Sequence, residues 1–407
     1  MPFIFSLYRN AFANLQRNIW ILSITMFINR SGSMVLLFTS LYLTKQLHFS
    51  IAQAGFIMSF YGAGSILGSY TGGWLTDRRN YFDIMLWSLI GCGMILLLML
   101  TTTSSVLITA IIFCYGFTAD MFRPANSAAI AAYTTPDDRA RSISLVRLAV
   151  NLGFSVGPAI GGFIAMYLGY KWLFVVDAFT SFGAAIILYK YLPRQKAEKN
   201  RHDNPVLNDS STSAYRDFKY LTFILLAALY FTSFTQLFAS IPQYFNRECH
   251  YNEDTIGLLL ALNGLLVVII EMPLISILEK RKRSFRFIIM GTLCLPAAFL
   301  ILQCGKGMIV WSVLYTLIIT MSEILAMPFL FNHAISQPLK ERQGQYSALY
   351  SIAFGIAVMI APSLGLGIAA RYGFYNMFYF FIALSFVVAF GFSLLSRKNK
   401  FRSSNPV

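Results

Sequence analysis

Residues 183–230 read GAAIILYKYLPRQKAEKNRHDNPVLNDSSTSAYRDFKYLTFILLAALY: an apolar run, a polar stretch, and a second apolar run. The polar stretch from Pro193 to Asp217 carries Lys, Asp, Asn and Ser with almost no apolar residues, which predicts a flexible, solvated linker. A helix that crosses a bilayer needs about 20 mostly apolar residues. Measured with that ruler, six candidate spans precede the linker, at 19–43, 52–75, 83–102, 105–132, 143–167 and 172–192. Six more follow it, at 219–245, 255–279, 286–304, 308–333, 345–370 and 374–396. The expected fold is therefore an all-α membrane protein of twelve transmembrane helices in two six-helix bundles. An N-terminal bundle covers 1–192, a cytoplasmic linker 193–218, a C-terminal bundle 219–396 and a cytoplasmic tail 397–407.

Composition excludes most alternatives. The chain is 57% hydrophobic and 12% charged, about half the roughly 25% charge of a soluble domain, so most of its surface must face lipid. A net charge of +15 invites a nucleic-acid partner. The basic residues gather at segment ends instead of on one face, and a membrane surface accounts for them better. The five cysteines follow no ligand spacing, and neither a metal site nor a cofactor is expected. The first apolar run has no small-residue cleavage site after it and should remain as span 1.

The loops carry an orientation. With the N-terminus cytoplasmic, about 24 of the 32 Lys and Arg fall on the cytoplasmic side and about five on the other. That bias predicts both termini inside. The halves also echo each other. Leu37-Phe38-Thr39-Ser40 recurs as Leu237-Phe238-Ala239-Ser240. His48, Gly55, Gly62 and Asp77 recur 202 residues later as His250, Gly257, Gly264 and Glu279. Pro124, Pro158 and Gly161 recur 204 later as Pro328, Pro362 and Gly365. A repeat that keeps its membrane orientation is a parallel repeat about an axis along the membrane normal.

With these residues in hand, the chain resembles the major facilitator superfamily over essentially its whole length, and most of all its drug:proton antiporter branch. Gly73-Trp74-Leu75-Thr76-Asp77-Arg78-Arg79, between spans 2 and 3, is similar to the family's loop signature. It departs afterwards, where Asn80, Tyr81 and Phe82 replace the usual Gly and basic residues. Gly153 to Gly162 in span 5 (GFSVGPAIGG) is similar to the motif of the proton-driven antiporters. The resemblance implies gating roles for Gly73, Asp77, Arg78, Gly153, Gly157, Pro158 and Gly161, and a central cavity lined by spans 1, 4, 7 and 10. Plain helix packing is the competing reading of the glycines.

Ionisable groups inside a span are costly and therefore candidates for function. Arg30 lies in span 1, Asp120 and Arg123 share a face of span 4, Glu271 lies in span 8 and Glu323 in span 10. Arg147 and Asp177 sit nearer span ends and are expected at the interface. A coupling proton needs a carboxyl whose affinity for it changes with burial. The candidates are Glu323 and Glu271, then Asp120, whose neighbour Arg123 offers a permanent pair instead. Arg30, Arg123, Tyr61, Gln236, Asn263 and Asn332 are candidate substrate contacts; His333 is placed for gating or for water.

Two transport readings follow. One is proton-coupled export of small amphipathic molecules; the other is proton-coupled import of a small anionic or zwitterionic nutrient, peptide or siderophore-like compound. A membrane enzyme would need a nucleophile with its base, or clustered metal ligands, and the four histidines form no such cluster. The expected partners are a small-molecule substrate, protons and the lipid bilayer, with no nucleic acid, for a monomer in the bacterial inner membrane.

Overall fold

The computed structural model describes residues 12, 15–135, 138–194, 216–279, 284–305, 307–335 and 343–403. Most of the expected linker, the basic cluster at 280–283 and the last residues of the tail lie outside the described residues. Twelve helices among the described residues are long and apolar enough to cross a membrane. They are α1 (Arg17–Gln46), α2 (Ile51–Thr76), α3 (Tyr81–Leu98), α4 (Ser105–Ala132), α5 (Arg139–Tyr167) and α6 (Tyr170–Tyr191). The second six are α7 (Phe218–Arg247), α8 (Glu253–Glu279), α9 (Ser284–Cys304), α10 (Ile309–Ile335), α11 (Gln343–Tyr372) and α12 (Phe374–Ser403). Each overlaps its expected span. Several run on beyond it: α5 starts at Arg139 and α12 continues to Ser403. At the start of α5, Arg139 is exposed, and a long basic side chain lets a helix continue past the apolar core because its head reaches water while its stem stays on the helix.

The chain divides into two compact units. The first comprises Met1–Tyr42, Ala63–Lys199 and Asn252–Val268; the second comprises Leu43–Gly62, Asn200–Tyr251 and Ile269–Val407. The end of α1 from Leu43 and the first part of α2 group with the second unit, and the first part of α8 with the first. Glycines explain the exchange. In the second unit, a Cβ on Gly55 would lie 2.6 Å from the Pro362 carbonyl oxygen, and one on Gly62 would lie 2.4 Å from Met359 Cα. In the first unit, Gly257 and Gly264 make the matching approaches to Pro158 O at 2.3 Å and Ser155 Cα at 2.8 Å. Backbones this close are possible only where side chains are missing.

These contacts show the repeat in three dimensions. Pro158 and Pro362, Ser155 and Met359, Gly55 and Gly257 are pairs separated by 204, 204 and 202 residues. His48 and His250 are the only non-glycine residues described with positive φ, at 58° and 57°. Each follows a helix end closed by the same hydrogen bond, Phe49 N to Leu43 O at 3.0 Å and Tyr251 N to Phe245 O at 2.9 Å. Gly169 and Gly373 likewise share a left-handed φ, of 91° and 87°, which a Cβ would oppose. The register between α1 and α7 is thus 202. The Leu37–Ser40 match with Leu237–Ser240, spaced by 200, falls out of that register and is a coincidence of composition.

Each unit has its own apolar interior. In the first, Leu22 and Met26 of α1, Met85 and Leu89 of α3, Phe122 of α4 and Leu188 of α6 form one buried cluster. In the second, Phe299 of α9 stacks on Phe378 and Phe381 of α12, both at 5.9 Å.

Candidate functional site

Among the described residues two membrane helices are broken, at equivalent positions. α1 stops at Gly32 and resumes at Val35. α7 stops at Phe234, resumes at Gln236–Ala239, and resumes again at Ile241. Local sequence favours the first break. Ser31 and Ser33 turn their hydroxyls back to Phe27 O (2.8 Å) and Asn29 O (3.1 Å), and Gly32 between them is a poor helix former. The glycines of the α5 motif seat α1 at this level. A Cβ on Gly153 would meet Arg30 Cβ at 2.6 Å, one on Gly157 would meet Ser31 O at 2.8 Å, and one on Gly161 would meet Met34 Cβ at 2.7 Å. The other face of α5 bears Ser155, Pro158 and Gly162, which pack on α8. Helix packing is therefore what these glycines do here, on two neighbours at once.

In the first unit Arg30 and Asp177 stand at the break, while Asp120 and Arg123 pair with each other on α4. Asp120 is 1% exposed; its Oδ1 lies 2.7 Å from Arg123 Nε and its Oδ2 accepts from Ser65 Oγ. Arg123 is half-exposed, so the pair has one wet end. Arg30 lies partly buried with its guanidinium 5.5 Å from the ring centre of Phe154. Cys92 of α3 is within electrostatic reach of Arg30, Asp120 and a third charge, Asp177.

Asp177 corrects the sequence reading, which placed it at the interface. Its side chain is buried against α1, where it accepts a hydrogen bond from Val35 N. The residue is seven positions into α6, about 10 Å from its end, and α6 turns it inward. Arg147, read in the same way, is exposed. Asn263 is buried in the first unit.

The second unit holds the other candidates. Glu271 is buried on α8. Glu323 is partly buried on α10 and lies within electrostatic reach of Tyr230, as does Tyr350. Tyr230 itself bonds Ser322, the neighbour of Glu323, at 3.1 Å. Phe231 packs edge-on against Tyr350 and Phe354, so the carboxylate stands beside an aromatic cluster. Tyr61 is partly buried and Asn332 exposed. His333 sits edge-on between Phe223 and Phe285, at 4.6 and 4.7 Å, a packed position instead of a solvated one.

Gln236 has a clear task. It is fully buried, its Nε2 donates to Thr232 O (3.1 Å) and Ala361 O (3.0 Å), and its Oε1 accepts from Ser240 Oγ (2.6 Å). It ties the α7 break to α11, and in this arrangement both of its N–H donors are already used.

The loop signature is less engaged. Asp77 and Arg78 are exposed, and Arg78 lies over the Trp74 ring at 3.8 Å. A Cβ on Gly73 would meet nothing within 4 Å; Gly72, which the sequence reading passed over, is the one pressed to 2.7 Å from Met121 Cα. Sequence reasoning also missed two polar contacts at helix ends: Tyr170 Oη donates to Glu253 in the first unit, and Gln243 Nε2 to Thr44 Oγ1 (2.8 Å) in the second.

The sequence matches the Major Facilitator Superfamily over residues 19–352. The chain belongs to that superfamily. As a major facilitator it is a secondary transporter and not an enzyme. It is 23% identical over 383 residues to the MFS-type transporter YqjV of Bacillus subtilis, covering 91% of each chain. It is also 23% identical to multidrug resistance protein 2 of the same organism, over 86% of this chain and 87% of that one. Among solved structures it superposes on a POT family transporter in complex with 5-aminolevulinic acid with a TM-score of 0.79, at 15% identity, covering 95% of this chain and 97% of that one. The structural likeness shows that a major facilitator fold is shared.

Proposed function

We propose that this major facilitator is a proton-coupled exporter of small amphipathic molecules in the cell inner membrane, with both termini cytoplasmic. The observation that carries the reading is the α5 motif: Gly153, Gly157 and Gly161 seat one face on α1 beside Arg30, and Pro158 and Gly162 seat the other on α8. A motif that resembles that of proton-driven antiporters is thereby built into contacts that a transport cycle would have to remake. The likeness to a multidrug resistance protein over most of the chain supports export. Asp120, Glu271 and Glu323 supply embedded carboxyls for coupling, and the aromatic cluster near Glu323 suits a flat, amphipathic substrate.

The second reading, proton-coupled import of a small zwitterion, draws on the fold shared with POT transporters and on Arg30 and Arg123. Everted vesicles separate the two. With an acid-inside gradient, ethidium should accumulate, and accumulation should collapse with a protonophore. Movement of a dipeptide or of 5-aminolevulinic acid down the proton gradient, without ethidium transport, replaces export with import. Replacing Glu271 and Glu323 together by Gln should abolish gradient-driven movement; full activity would remove both from coupling.

A further inference from the structure

We propose that Asp177 is a proton-binding site of this transporter, formed by α6 against the break of α1. It deepens the coupling mechanism proposed above and rests on that reading for its role, though not for its chemistry.

The carboxyl is 1% exposed. One oxygen accepts from Val35 N, the first residue after the break, and the other, Oδ2, is buried without a hydrogen-bond partner among the described residues. Arg30 lies within electrostatic reach, yet its own Nε is buried and equally unpartnered. The two opposite charges thus stand near each other with the bond between them unmade. An ionised carboxylate with an open lone pair in an apolar interior is strongly disfavoured unless it is paired or neutralised. A proton from water on Oδ2 removes that cost in this arrangement. When the proton leaves, the negative charge needs Arg30, and Arg30 is carried by the segment that ends at the break.

The surroundings leave few competitors. From α1 the facing charge is Arg30, and from α3 it is the Cys92 thiol, with Asp120 of α4 behind it. α5 presents Gly157 to Gly161 at this level, a stretch with no ionisable side chain. Gly32 is glycine because Thr180 Oγ1 and Asp177 Oδ1 occupy the place of its Cβ, at 1.8 and 2.8 Å. A shift of α1 at this point therefore changes what Asp177 touches.

The repeat supplies an independent argument. By the registers found above, Asp177 corresponds to Phe381 and Arg30 to Thr232. α7 breaks at the equivalent place with neither charge, its amide and hydroxyl groups satisfied. The fold can make the break without ionisable groups, so their presence in the first repeat serves something else.

Infrared difference spectra of the full-length protein in lipid nanodiscs, titrated from acid to alkaline pH, test this. The wild type should show the carbonyl stretch of a protonated carboxylic acid that disappears on titration. Asp177→Asn should lose that band and Asp177→Glu should shift it. A band unchanged in position and intensity in either variant overturns the proposal, and the Glu variant decides alone if the Asn variant does not fold. Gradient-driven ethidium accumulation in the same proteins reads the exporter hypothesis separately. A wild type that titrates at Asp177 but moves no ethidium keeps this site and removes that function.

Discussion

The breaks in α1 and α7 hold the same position in two repeats and are built from opposite chemistry. At α7 a neutral amide closes the gap: Gln236 bonds Thr232, Ala361 and Ser240, and leaves no polar atom of its own idle. At α1 the equivalent residue is Met34, which offers no hydrogen bond of that strength, and the polar work passes to Asp177 on α6. Glycine use differs in the same sense. Gly32 makes room for Thr180 and Asp177, whereas Phe234 at the matching place in α7 stacks on Tyr230 at 6.3 Å. A broken helix in a membrane must have its freed backbone groups satisfied, and the second repeat does that with groups that never change charge. The first repeat does it with a group that can.

The contrast fails first, and with the largest effect, at Gly32. Gly32→Phe installs the α7 residue where Thr180 and Asp177 already stand, and should cost about 3 kcal/mol or more. The readout is loss of the monodisperse peak in detergent; a stable, active variant would show that α6 does not hold α1 here. Next comes Gln236→Met, which gives α7 the α1 residue. It strands two carbonyls and a hydroxyl and should cost about 1–2 kcal/mol, seen as a lower midpoint of thermal unfolding. An unchanged midpoint would mean that α7 does not depend on its amide lock. Ser240→Ala removes only the donor to Gln236 Oε1, so a loss near 0.6 kcal/mol is expected, measured in the same assay. Thr180→Val is the smallest. Its hydroxyl bonds Asp177 O within its own helix turn at 2.9 Å, and the isosteric change should stay within about 0.5 kcal/mol. A larger effect would place Thr180 in the Asp177 site itself.

Much of the fold was legible because it is a one-dimensional property. Length and apolarity decide whether a segment spans, and the twelve runs between residues 19 and 396 met that criterion one by one. The site was only partly legible. Asp120 and Arg123 are three residues apart on one helix, so their pairing needed no tertiary knowledge. Asp177 looked interfacial because distance from a helix end was the only measure to hand. Gly73 was chosen over Gly72 because the loop signature names it, although one step along a helix turns a residue by about 100° and exchanges an open face for a packed one. Gln236 read as a ligand group because its three partners lie on two helices 125 residues apart.

By itself, then, the sequence determined a twelve-span membrane transporter, its repeat of 202 to 204 residues, and its membership of the major facilitator family. Hydropathy and spacing carry the spans and the repeat along the chain, and the family rests on the likeness of its loop and α5 motifs. Only the tertiary structure decided which embedded charges turn inward, which glycines bear a neighbouring backbone, and that α2 and α8 each contribute to both compact units. Those outcomes depend on the rotation of each helix about its axis, and rotation is set by the helices packed beside it.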